Sequence, residues 1–99
     1  MSIERLENGH WFDTSAAEKY DEATHWDGNN NISNATGSQW DHEMLYHSAK
    51  GAWIMHRWSQ WQGRGESYAV ISAKDAYAWL IAQEHDDAVP PETFAAAEV

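Results

Sequence analysis

The alternation of apolar and polar residues is clearest between Gln39 and Gln62, QWDHEMLYHSAKGAWIMHRWSQWQ. Two apolar-rich runs flank the break Ser48-Ala49-Lys50-Gly51, with glycine where a tight loop needs positive φ. The spacing predicts a β-hairpin. With Ala49-Lys50-Gly51 as a three-residue loop, Ser48 pairs with Ala52. One face then sets Tyr46 against Ile54, Met44 against His56 and His42 against Trp58. The other sets His47 against Trp53, Leu45 against Met55 and Glu43 against Arg57, a favourable cross-strand ion pair. Both faces carry large apolar groups. The hairpin is therefore expected in the middle of the fold, with helices on one side and loop on the other.

Ile3 to Asp13 reads as a first hairpin around Asn8-Gly9, with Leu6 facing Trp11 and Arg5 facing Phe12. Thr14 or Ser15 is a candidate N-cap, and Ser15 with Glu18 fits a capping box. A short helix from Ala16 to Ala23 is expected, with Ala16, Tyr20 and Ala23 on one face. Residues 25–39 are rich in Asn, Asp, Gly and Ser and predict no regular element, with Trp26 and Ile32 as candidate anchors to the core. After a Gly-rich turn at 62–66, Ser67–Ile71 reads as a third strand of that part of the chain. Ser72 and Asp75 then cap the best helix, which is expected to end near Glu84 or His85, before Asp86-Asp87. Pro90-Pro91 opens a short terminal helix from Glu92 to Ala97. The expected fold class is α+β: one small antiparallel sheet of about five strands, built on a central hairpin at 40–60 and packed with two or three short helices.

The 99 residues suit a single small domain with an acidic C-terminal tail from about residue 86. Seven Trp and four Tyr must supply much of its apolar area, so most of the Trp, about five, are expected in the core. The absence of cysteine excludes disulfides and thiolate chemistry. No apolar segment follows Met1 and no run has the length of a membrane span, so a cytoplasmic protein is expected.

Charge is unevenly spread. Residues 1–29 carry seven acids and two bases, 30–83 four of each, and 84–99 five acids and no base. The result is a neutral centre between two ends of −5 each, within a total of −10. That pattern argues against binding nucleic acid phosphates or an anionic membrane, and favours either simple solubility or a basic partner.

Candidate chemistry is sparse. His42 and His56 share a face of the central hairpin at a spacing where one ion could bridge them, but no third ligand and no HExxH motif accompanies them. Asp27-Gly28-Asn29-Asn30-Asn31 opens like a calcium loop, yet positions six and twelve hold Ile32 and Ser38, so an Asx-rich turn is the better reading. Asn31 and Asn34 each begin a glycosylation sequon that has no secretion signal to give it meaning. No GxSxG elbow marks a nucleophile, and alternation puts Asp41 and Glu43 on the face opposite His42. No catalytic residue, metal site or cofactor is therefore assigned.

The segments TGSQWDHEMLYHS (36–48) and WSQWQG (58–63), with DGNNN before them, resemble a family of small bacterial proteins of unassigned activity. The resemblance spans roughly residues 10–85 and includes a capped helix with Trp79-Leu80. It implies one compact unit and no mechanism. It draws attention to Gln39, Trp40, His42, Glu43, Trp58, Gln60 and Gln62.

The reading that follows is a non-enzymatic, intracellular protein-interaction module, self-associating or binding another protein. Its candidate binding residues are Gln39, Trp40, His42, Trp58, Gln60 and Trp61, at the end of the hairpin away from its turn. Two other classes remain open: an acidic inhibitor that imitates nucleic acid and blocks a basic protein, and a small-ligand or metal-binding module built on 25–39.

Overall fold

The computed structural model describes residues 2–6, 9–60, 65–96 and 98. Its centre is the antiparallel pair β6 (Asp41–His47) and β7 (Trp53–Ser59). All six cross-strand pairs expected from the turn are present, and Ser48 N donates to Ala52 O at 2.9 Å. Gly51 adopts φ 92°, a conformation open to glycine at little cost. Outside this pair, β3 (Glu18–Asp21) adds to β6 and β8 (Ser67–Ile71) to β7, so the sheet order is β3-β6-β7-β8. Among the described residues there are two further two-stranded sheets: β1 (Ile3–Arg5) with β2 (Trp11–Asp13), and β4 (Thr24–Trp26) with β5 (Asn31–Ser33). The architecture is thus α+β and antiparallel, but three small sheets replace the single five-stranded sheet expected.

Both faces of β6–β7 are covered. On one, Leu45, Trp53 and Met55 pack against Ala76 and Leu80 of helix α1 (Ala73–Ala82) and against Val89. On the other, Tyr46 and Ile54 pack against Phe12. The second layer is therefore the first hairpin, and not the polar stretch 25–39. Trp26, expected to anchor that stretch, is exposed. Its anchors are polar instead. Asn34 N donates to Ala23 O (2.8 Å), Ala23 N in turn donates to the buried Gln83 Oε1 (2.9 Å), and Thr36 Oγ1 donates to Asp41 O (2.7 Å), while the buried Ser33 accepts at Oγ from Ala35 N and Thr36 N within the stretch. Asp27 Oδ1 accepts from Asn29 N and Asn30 N, which closes the Asx-rich turn between β4 and β5.

Three further expectations are corrected. The helix expected at 16–23 is absent. Asp13 Oδ1 caps a single 3-10 turn, Thr14–Ala16, and the chain then runs extended as β3, with Tyr20 opposite Leu45. Eight residues of ordinary propensity nucleate a helix poorly, whereas the open edge of β6 offers a ladder and a place for Tyr20 on the core. In the first hairpin Arg5 pairs with Trp11 and Glu4 with Phe12, one residue away from the expected register. Leu6 N donates to His10 O at 2.7 Å, and Gly9 stands at φ 76°. Asn8 of the expected turn lies outside the described residues, as does most of the Gly-rich turn at 62–66. The tryptophans also depart from expectation. Trp53 is buried and Trp58 and Trp79 are half-buried, but Trp11, Trp26 and Trp40 are exposed. Trp61 lies outside the described residues.

Helix α1 begins as expected, with Ser72 Oγ accepting from Asp75 N at 3.1 Å. Its end is a Schellman motif: His85 N donates to Leu80 O (2.7 Å) and Glu84 N to Ile81 O (3.2 Å). Glu84 stands at the left-handed position with φ 67°, where glycine is usual. The motif turns the chain back over the sheet. His85 Nε2 then meets Asp21 O at 2.6 Å and its ring packs on Tyr20 at 5.5 Å. A 3-10 turn, Asp86–Ala88, and helix α2 (Pro91–Ala96) follow. Glu84→Gly is expected to raise the unfolding free energy by about 1 kcal/mol, because it relieves a left-handed non-glycine residue, while Glu84→Ala gives no such gain. Urea unfolding of the two variants checks this, and an equal response would put the gain down to lost charge.

Candidate functional site

The structure brings five of the six candidate residues together. Ser38 Oγ accepts from Trp40 N (2.9 Å) and Asp41 N (3.2 Å), which turns the chain into β6. Gln60 N donates to Trp40 O at 2.9 Å, so Trp40 and Gln60 close the open end of the central hairpin. His42 and Trp58 pair two residues further in, with rings 5.5 Å apart. Gln39, His42 and Trp58 are half-buried, and Trp40 and Gln60 are exposed. The sixth residue, Trp61, lies outside the described residues.

The histidines on this face are held by carboxylates. Glu22 bridges two groups: Oε2 lies 2.6 Å from His42 Nδ1, and Oε1 accepts from Glu43 N at 2.7 Å. His56 Nε2 lies 2.9 Å from Glu66 Oε2. The second ring nitrogen of each histidine, Nε2 of His42 and Nδ1 of His56, is buried without a hydrogen-bond partner among the described residues. Each imidazole is thus fixed through one nitrogen by a carboxylate, while its other nitrogen is shielded from solvent. Trp58 packs against both rings, at 5.5 Å from His42 and 4.6 Å from His56. Among the described residues, no three His, Asp or Glu side chains gather where they could hold a metal ion.

These rings belong to a larger aromatic layer. His56 stacks on Tyr68 at 4.2 Å and 5°, and Phe12 meets Tyr46 at 5.2 Å and Tyr68 at 5.9 Å. The layer crosses β6, β7 and β8 beneath the first hairpin. Burial, with the nearby charges of Glu66 and Glu4, pushes the Tyr68 hydroxyl up to about 12.

Beyond this layer the structure shows a surface that the sequence reading did not single out. A cleft of about 760 Å³ opens between the first hairpin and the turn end of the central hairpin, walled by Leu6, Trp11, Phe12, Ile54 and Val70. Val70 is 57% exposed and Trp11 56%. Val70 stands on β8, the outer strand of the sheet, whose residues Ser67–Ile71 include no charge. At the other edge, β3 reads Glu-Lys-Tyr-Asp. Charges of that kind blunt a sheet edge against pairing, and β8 lacks them. The strand itself was legible in its β-branched and aromatic residues. Its place at an edge was not, because sheet order follows from packing.

Comparison with protein-family models, with curated proteins and with solved structures finds no match.

Glu22→Ala is expected to cost about 2–4 kcal/mol, since it strips acceptors from both the Glu43 amide and His42 in a half-buried setting. Glu22→Gln keeps an acceptor for the amide and is expected to cost less. Chemical denaturation measures both, and a loss below about 0.5 kcal/mol for Glu22→Ala would remove the bridge as a structural element. Tyr68 and Tyr20 also predict an alkaline limit. Burial comes first and carboxylates second in raising both hydroxyls to about 12 from an ordinary 10.0. The folded chain then holds these protons more tightly than the unfolded chain, so their contribution is complete below pH 10 and is lost as pH climbs toward 12. Burial raises the Tyr46 hydroxyl in the same direction, so phenolate absorbance should show Tyr20, Tyr46 and Tyr68 titrating late, together with unfolding. Titration of these three near pH 10 in the folded protein would contradict it.

Proposed function

We propose that this chain is a small, non-enzymatic, intracellular protein-interaction module that self-associates through the outer edge of β8. The observation that carries this reading is an uncharged outer strand with an exposed apolar residue, Val70, beside an apolar cleft and the exposed Trp11. An unprotected edge offers a row of backbone donors and acceptors that a second strand can pair.

A second copy is the occupant that the charges favour. Antiparallel pairing about a two-fold axis at Ala69 matches all five residues of the strand: Ser67 with Ile71, Tyr68 with Val70, and Ala69 with itself. Tyr68 and Val70 point to the aromatic face, so each copy's Val70 leaves water against the other's Tyr68. The acids of β3, Glu18 and Asp21, lie at the far edge of the four-stranded sheet, about 14 Å away at ordinary strand spacing. That exceeds the screening length of about 8 Å at physiological salt, so the net charge of −10 does little to oppose pairing at β8. A ladder of five residues is a small interface, and a dissociation constant in the micromolar range, roughly 1–100 μM, is expected.

The exposed Trp40 and Gln60, with Gln39, His42 and Trp58 behind them, form a second aromatic–polar patch of the same module. The acidic-inhibitor reading has one observation in its favour: His85 ties the C-terminal acids Asp86 and Asp87 to β3, with its Glu18 and Asp21.

Light scattering over a concentration series is expected to give twice the chain mass at the high end. Val70→Lys, which introduces the charge that natural edges use, is expected to weaken the dimer at least about tenfold without unfolding the chain. A monomer throughout, or a dimer untouched by this substitution, would remove the β8 edge as the interface.

A further inference from the structure

A second cavity, of about 400 Å³, lies on the helix face of the sheet, away from β8. Sheet register builds its floor. Glu18, His47 and Trp53 form one transverse row across β3, β6 and β7, because Glu18 pairs with His47 and His47 with Trp53. Tyr20 stands beside this row on the same face of β3. Helix α1 supplies Tyr77, and the segment after the Schellman turn closes the wall with Asp87 to Pro91.

The chemistry of the walls is specific. Three rings converge. Tyr20 lies 6.3 Å from Trp53 at 36°, and Tyr77 lies 5.8 Å from it at 76°, so they form a concave aromatic surface and not a flat stack. His47 lies flat on Trp53 at 3.9 Å and 2°, which fixes the indole in place. Two carboxylates, Glu18 and Asp87, line the same space, and no Lys or Arg does so among the described residues. Tyr20 Oη donates to Glu18 Oε2 at 2.6 Å, which orients that carboxylate against the ring. Asp87 belongs to the acidic C-terminal segment, yet its charge is felt at Tyr20 across the cavity. Ring faces carry negative potential, and carboxylates beside them add to it. A neutral ligand gains nothing from the two acids, and an anion is repelled by them.

We propose that this cavity is a binding site for an alkylated ammonium group, as on a choline-like small molecule or at the end of a trimethylated lysine side chain. The volume lies at the small end of ligand cavities, which suits a head group better than an extended ligand. Methyl groups on the nitrogen spread its charge and match apolar ring faces, while the carboxylates neutralise it without stripping a tightly held hydration shell. The site is independent of the β8 edge, since it lies on the other face and toward the other edge of the sheet.

The test is an isothermal or NMR titration of the intact chain with choline, tetramethylammonium and free trimethyllysine. The neutral carbon isostere of choline, 3,3-dimethylbutanol, is the control. Saturable binding of the cations is expected, at least about tenfold tighter than binding of the isostere. Tyr77→Leu and Asp87→Asn are each expected to weaken the cations several-fold and to leave the isostere unchanged. Both lie at the cavity wall, and circular dichroism verifies that each variant folds. Choline and tetramethylammonium binding ahead of trimethyllysine assigns the site to small molecules, and the reverse assigns it to a modified side chain. Equal binding of isostere and cation would overturn the proposal, as would cation binding untouched by either variant. The latter outcome would make the edge a diffuse acidic surface. No saturable binding of any cation would also overturn it.

Discussion

The seven cross-strand pairs between Asp41–His47 and Trp53–Ser59 are the constraint on which the rest of this molecule depends. An isolated two-stranded hairpin is marginal in water. This one persists because each strand is apolar on both faces, and each face needs its own cover. Helix α1 supplies one cover through Ala76 and Leu80, and the first hairpin supplies the other through Phe12. Strands β3 and β8 then satisfy the outer backbone groups of β6 and β7. A slip of one residue in the central register would exchange the two faces, placing Tyr46 under the helix and Leu45 under the first hairpin. The turn at Ser48–Gly51 and the Glu43–Arg57 pair, with Nε to Oε2 at 2.6 Å, oppose that slip. Arg57 is largely exposed, so its ion pair contributes less to stability than to register. Glu43 also accepts from Trp79 Nε1 at 3.0 Å, which links the same carboxylate to helix α1.

The two outer strands are chemically unlike, and the division of charge between them organises the surface. Strand β3 is charged and is further covered by the segment that follows α1, through the contact of His85 with the backbone of Asp21. Strand β8 is uncharged and faces a cleft. Negative charge is therefore concentrated where pairing is blocked, and the edge that can pair is neutral. The aromatic cavity between β3 and α1 arises from the same fact. Acids from opposite ends of the sequence, Glu18 and Asp87, line one space beside Trp53 and Tyr77.

The central pairing was readable because it is local. A three-residue loop joins the strands, and the charge pair and the alternation agree with a single register. The capped start of α1 was readable for the same reason, since Ser72 and Asp75 meet within one turn. The first hairpin is readable as a hairpin but not in register, because the two-residue turn that Asn-Gly suggests would set Arg5 against Phe12, whereas Arg5 pairs with Trp11. Strand β3 reads locally as part of a helix. Its alternating pattern is only four residues long, and what stabilises it is a ladder to β6, more than twenty positions away. The candidate residues at 39–42 and 58–60 follow from the central register and do come together. The cleft at Val70 and Trp11 and the cavity at Trp53 do not follow from it, since each is walled by elements remote in sequence.

The sequence by itself determined the α+β class, the central hairpin with its pairing, the strand at 67–71 and the start of the main helix. Each rests on interactions between residues a few positions apart, or joined by one short turn. Only the tertiary structure decided which strands became edges, which tryptophans remained exposed, and which acids met. Those outcomes depend on how two faces of one hairpin are shared among covers that compete for them. That competition is settled by buried area and by long-range hydrogen bonds, such as those of Glu22, Gln83 and His85. No local pattern encodes it.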